Sequence, residues 1–180
     1  MKILKKLLFV VFALLTIVLI TAIFVKKEYT VKRSVKIESN VSDVYDYLSH
    51  LENQQEFAVW QAKDPKTKNS YKGTEGTAGF IHSWSSKHEE VGSGEQEITK
   101  MELDKRIDYA LRFKEPMQLD ATAYMTTKEK GNATIVTWAI EGAISYPFNI
   151  LFLFKDMDEV LSPDLQKGLE NLKQIIESKD

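Results

Sequence analysis

The chain has 180 residues, 24 Lys and Arg against 26 Asp and Glu, and a net charge of −2, a size that suits one domain by the rough rule of 100–200 residues each. It contains no cysteine, which excludes disulfides, thiol catalysis and cysteine-held metal, and it shows no glycine-rich phosphate loop, nucleophile elbow or zinc-protease signature. Five lysines and one acid precede residue 30, so the remainder holds 19 basic and 25 acidic side chains, a balance unsuited to nucleic acid, whose phosphates demand a basic surface.

From Leu7 to Val25 the chain reads LLFVVFALLTIVLITAIFV, nineteen residues without a charge, close to the roughly twenty that a helix needs to cross the hydrocarbon core of a bilayer. Lys2, Lys5 and Lys6 precede the run, and Lys26 and Lys27 follow it. A cleaved signal peptide has the same outline. Its apolar core, however, spans about 7–15 residues and ends on small side chains, whereas a cut after Ala22 would leave Ile20 three positions back. The pattern predicts a retained anchor over residues 1–27, with a single membrane-spanning helix at about 7–25, and one domain over residues 28–180. Counted across the span, the basic residues favour a cytoplasmic domain. A very short basic tail favours staying inside while the domain crosses, and the extracytoplasmic side is the expectation taken.

Next, Tyr29, Val31, Arg33, Val35 and Ile37 alternate with polar residues, the period of a half-buried strand whose apolar face Arg33 interrupts. Ser39–Asn40 offers a helix cap, and Asp43 suits the first turn of the helix that carries Val44, Tyr45 and Leu48. His50 closes that helix, where a cation favours the dipole. A second helical patch, LENQQEFA, precedes Val59 and Trp60. Turn signals at Lys72–Gly73, Glu75–Gly76, Gly92–Ser93–Gly94, Asp104–Lys105 and Gly131–Asn132 then punctuate alternating segments, which predicts about six antiparallel strands with one apolar face each. From Pro147 to about Ser178, Leu151, Phe154, Leu161, Leu165, Leu169, Leu172 and Ile176 recur at mostly three- and four-residue steps. That spacing predicts one long helix, broken or bent near Pro163, for the sheet to curl around.

The stretches YTVKRSVKIESNVSDVYDYL, GFIHSW, VGSGEQEIT, GNATIVTWAIEG and MDEVLSPDLQKGLENLK, in this order, resemble the START-like (SRPBCC, helix-grip) superfamily, and within it bacterial polyketide cyclase/dehydrase-like proteins. The likeness covers about Tyr29 to Glu177. It implies an α+β fold, a curved antiparallel sheet gripping a C-terminal helix with a cavity between them. It also implies a hydrophobic small molecule as partner (lipid, isoprenoid or polyketide-like) and, with the anchor, a bacterial inner membrane. The chain departs from the pattern at Ser162–Pro163 in the helix and at Gln96, polar where an apolar residue is usual.

Trp60, Phe80, His82, Trp84, Tyr109, Phe113, Met125, Trp138, Phe148, Phe154 and Met157 are the candidates to line that cavity, since small-molecule sites are apolar with a few orienting polar groups. Each also fits ordinary core. His82, between Phe80 and Trp84 on one strand face, is the polar contact of choice, and paired with Tyr109 the acid–base candidate of a cyclase or dehydratase. His88, Glu89 and Glu90 are adjacent in a hairpin tip and lack the spacing of metal ligands. Asp156, Asp158 and Glu159 read as a solvated helix face. The expectation is a membrane-tethered binding protein without cofactor or metal. An enzyme using His82 is the alternative, and a protein-interaction module whose groove takes a partner segment is the third.

Overall fold

The computed structural model describes residues 2–179. Helix α1 (Lys2–Phe24) runs straight into β1 (Glu28–Ile37) through a three-residue link. Two turns of helix α2 (Val41–Ser49) follow, capped by Asn40, whose side chain accepts the Asp43 N–H at 3.0 Å. A single 3₁₀ turn leads into the short helices α3 (Gln54–Phe57) and α4 (Val59–Lys63). Six strands come next: β2 (Lys68–Lys72), β3 (Ile81–Ser85), β4 (Ser93–Glu102), β5 (Arg106–Glu115), β6 (Leu119–Lys130) and β7 (Ala133–Ala143). With β1 they form one antiparallel sheet in the order β1-β7-β6-β5-β4-β3-β2. The expected strand order and number are therefore present, and register shifts in β4 between Ser93 and Gly94 and between Ile98 and Lys100 supply bulges that bend the sheet.

Helix α5 (Met157–Glu177) lies against the concave face with Leu165, Gly168, Leu169, Leu172 and Ile176 buried. Two contacts fix its far end to β1: Glu177 accepts the Glu38 N–H at 2.8 Å, and Lys173 donates to the Lys36 carbonyl at 2.9 Å. Near its start Arg33 makes a two-pronged pair with Asp158, at 3.0 and 2.6 Å. That pair explains the charge on the apolar face of β1, and it takes Asp158 out of the solvated run expected for it. Asp156, also in that run, caps the helix by accepting the Asp158 N–H at 2.9 Å.

The C-terminal helix is shorter than expected. Residues Phe148–Leu153 form a 3₁₀ segment, Phe154 to Asp156 break the chain, and the α-helix begins only at Met157. Pro163 does not divide it: proline there removes one hydrogen bond, to the Glu159 carbonyl, on the exposed side where water replaces the donor.

Candidate functional site

Because β-strand side chains alternate, the pairing register turns the inner face into rows. One row runs His82, Gln96, Leu111, Ala121 and Gly142, and the next runs Ile98, Tyr109, Ala123, Ile140 and Val31. A third joins Ile107, Met125 and Trp138. The third row is large: Trp138 in it meets Gly168 of α5, and α2 packs on β6 and β7. In the first two, the Tyr29 ring covers Gly142, while Leu111, Ala123 and Ile140 face open space near the start of α5.

What remains is a cavity of about 370 Å³, within the roughly 300–1,000 Å³ of small-molecule sites. Its floor is Leu111, Ala123, Trp138 and Ile140; Trp60 and Ala58 form one wall, Trp84 and Phe113 another, and Met157 and Leu161 the roof. The aromatic walls are braced: Trp60 meets Trp138 edge to face at 5.6 Å, and Trp84 meets Phe113 likewise at 5.8 Å. Gly94 makes the second arrangement possible. A Cβ there would lie 2.6 Å from the Trp84 ring, so only glycine lets the indole lie flat on its neighbouring strand.

Polar groups are few. His82 is buried and stacks on Tyr71 at 5.1 Å. Its Nε2 donates to Asn69 Oδ1 at 2.9 Å, and Asn69 in turn donates to Gln55, at 3.3 Å. An amide oxygen can only accept, so this chain places the ring proton on Nε2 and leaves Nδ1 as an acceptor. Burial pushes the imidazole down to about 4, so the ring is neutral at pH 7. Gln96, also lining the cavity, has no side-chain hydrogen-bond partner among the described residues. Tyr29, Gln54 and Gln55 complete the uncharged set, while Glu89, Glu90 and Glu115 stand at the rim. Lys63 straps that rim to the helix, contacting Glu90 at 3.4 Å and Asp164 at 2.9 Å.

Of the residues expected from sequence, Trp60, His82, Trp84, Phe113, Trp138 and Met157 line the cavity. Phe80, Tyr109 and Met125 are buried but lie in the core behind the lining. Phe148 and Phe154 are on the surface, 68% and 81% exposed, because the break before α5 turns them out of the helical stripe. The acid–base pair is therefore not assembled: His82 faces the cavity, whereas the Tyr109 hydroxyl is enclosed and burial raises it out of the working range. Glu89 and Glu90, read from sequence as part of a hairpin tip, belong to the rim. Sequence reasoning missed Tyr29, Gln54, Gln55, Leu111, Ala123, Ile140 and Leu161. Their periodicity marked most of them as inward-facing, but nothing in it separates cavity wall from packed core.

Residues 28–177 match the family described as polyketide cyclase / dehydrase and lipid transport, and the chain belongs to that family. Its resemblance to solved structures is one of fold. A di-domain aromatase/cyclase, StfQ, from the steffimycin biosynthetic pathway superposes with a TM-score of 0.62 at 12% identity over 85% of this chain and 52% of that one. Protein MLL2253 from Mesorhizobium loti gives 0.60 at 15% identity over 84% and 99%, and Ara h 8.0201 gives 0.56 at 8% over 84% and 99%. No curated protein matches the sequence.

Proposed function

We propose that residues 28–180 are a binding domain for one neutral hydrophobic molecule, held at a membrane by the anchor of residues 1–27. The cavity between the sheet and α5 is the observation behind this reading: it is walled by aromatic and aliphatic side chains with uncharged polar groups among them, and its charged residues, Glu89, Glu90 and Glu115, stand at the rim. The acidic rim opposes a ligand with an anionic head, since like charges at short range cost free energy. An alcohol, ketone or ester on an apolar skeleton suits it, with Gln96 and the His82 Nδ1 lone pair available for orientation. The family's description, which includes lipid transport, agrees. So does α1, whose 23 residues span about 34 Å at 1.5 Å per residue, against roughly 30 Å of hydrocarbon core.

All three tryptophans of the chain, Trp60, Trp84 and Trp138, line the cavity, so their fluorescence reports its contents. Titrating the detergent-solubilised full chain with a brominated long-chain alcohol is expected to quench that emission saturably, at one molecule per chain, with the unbrominated alcohol competing. Quenching that rises linearly, as for an unprotected tryptophan in a micelle, would remove the reading. Alkaline extraction of membranes tests the tether separately: the full chain is expected in the pellet, starting at its own N-terminus.

A further inference from the structure

The segment between β7 and α5 is the most apolar exposed surface outside α1. Phe148, Leu151, Leu153 and Phe154 are 68%, 47%, 55% and 81% exposed, and Tyr146 adds 43%. Contiguous apolar surface of this kind marks a contact with something else. The segment is also held firmly in place. Asn149, fully buried at its centre, donates from Nδ2 to the carbonyl oxygens of Ala22 at 2.7 Å and Val25 at 2.9 Å. These are two of the carbonyls that a helix leaves without partners at its C-terminus. The Ile144 N–H bonds the Lys27 carbonyl at 2.8 Å, and Lys26 lies over the Phe152 ring at 5.8 Å. The exposed side chains therefore sit beside the last turn of α1, at the level where the apolar run gives way to Lys26 and Lys27.

We infer that Tyr146–Phe154 is a foot embedded in the headgroup region of the bilayer that α1 spans, and that it sets the mouth of the cavity against the lipid surface. Aromatic and aliphatic side chains at that depth bury their apolar bodies roughly 5–10 Å into the boundary, while Lys26, Lys27 and Lys155 reach the phosphates. The cavity occupies the same end of the domain. Tyr29, the second residue of β1, lines it and packs edge to face on Phe152 at 6.0 Å. Three residues separate Tyr29 from Val25, so four steps of extended chain span at most about 14 Å. Met157 and Leu161, the roof, follow the foot directly, and the exposed Met117 lines the same opening. A ligand dissolved in the outer part of the bilayer thus enters between Met117 and the start of α5 without crossing water. This inference rests on the anchor reading of α1.

The absence of cysteine allows single labels in the full chain. Phe148→Cys, Phe154→Cys, Leu14→Cys and Lys130→Cys, each carrying an environment-sensitive fluorophore, would be reconstituted into phosphatidylcholine–phosphatidylglycerol vesicles with or without headgroup-proximal nitroxide lipid. Lys130 is the aqueous reference, because β6 and β7 turn at the end of the sheet remote from α1. Labels at 148 and 154 are expected to emit to the blue of the label at 130 and to lose intensity to the nitroxide lipid, as the label at 14 does to a deep-chain nitroxide. If 14 is in lipid while 148 and 154 match 130, the foot is overturned and the anchor stands. If 14 itself is in water, the anchor fails and the foot with it.

Discussion

Toward its C-terminus α5 is sealed to the sheet, with Leu165, Leu169 and Leu172 fully buried; toward its N-terminus, Met157 and Leu161 remain half-buried and Val160 is exposed. The same helix meets the same sheet at both ends. What differs is the size of the side chains that the sheet presents. At the sealed end Trp138 fills the space, wedged between Phe57 at 5.7 Å and the backbone of Gly168. At the open end Ala123 faces the cavity beneath a helix whose start is pinned by the Arg33–Asp158 pair, with Met157 and Leu161 only partly packed on the core. One half is thus core and the other a vessel, and the boundary between them runs through Trp138, which belongs to both.

The largest expected effect separates these halves. Leu169→Ala is expected to destabilise the fold by about 3–5 kcal/mol, the cost of a cavity in a close-packed interior, whereas Leu161→Ala is expected to cost about 1 kcal/mol because its surroundings already contain space. Denaturant unfolding of the full chain in detergent checks both, and equal losses would erase the distinction.

Acidification acts on the open half through His82. Its folded-state value, about 4, lies below the ordinary 6.5, so the unfolded chain binds more protons between the two and stability falls as pH drops through that window. The contribution is complete above about pH 6.5 and is lost on approaching pH 4, a change of about 2–3 kcal/mol. His82→Gln keeps a donor for Asn69 and removes the titration, so the difference between the two pH–stability curves isolates the effect; parallel curves would show that the ring is not buried neutral.

Gly168→Ala probes the boundary. A Cβ there falls 2.9 Å from Trp138 Cζ3 and 3.5 Å from the Phe57 carbonyl. Alanine gains about 1 kcal/mol of helix propensity but strains a filled contact by about 1–3 kcal/mol. A net loss of about 1 kcal/mol is expected, accompanied by altered tryptophan emission as Trp138 yields toward the cavity. Unchanged emission with increased stability would mean that the contact is slack.

Much of this division was legible in the sequence. The alternation in β1 and β5 to β7 identified their inward faces, the turn glycines placed the hairpins, and the motifs pointed to the grip of sheet on helix. Leu165, Leu169 and Leu172 were found because their spacing carries the helical period. Leu151 and Phe154 share that period but not its fate, because a cap at Asp156 restarts the helix and rotates the earlier residues outward. The exposure of Tyr146–Phe154 was invisible for the same reason: apolar spacing cannot say whether a face packs on the protein or lies outside it. Nor could it distinguish Tyr109 and Met125 from Trp84 and Phe113. That difference depends on how the start of α5 sits over Ala123, held by the Arg33–Asp158 pair, positions distant in the chain.

Native mass spectrometry of the full chain, released from the detergent in which it is purified, weighs the contents of the vessel. Alongside it would go Ala123→Phe, which fills the floor between Leu111 and Ile140, and whose folding is verified by its melting curve. The expected result is an added mass of one neutral apolar molecule per chain, absent from Ala123→Phe. A folded wild type that carries no added mass even after incubation with long-chain alcohol, or an added mass retained undiminished by folded Ala123→Phe, would contradict it.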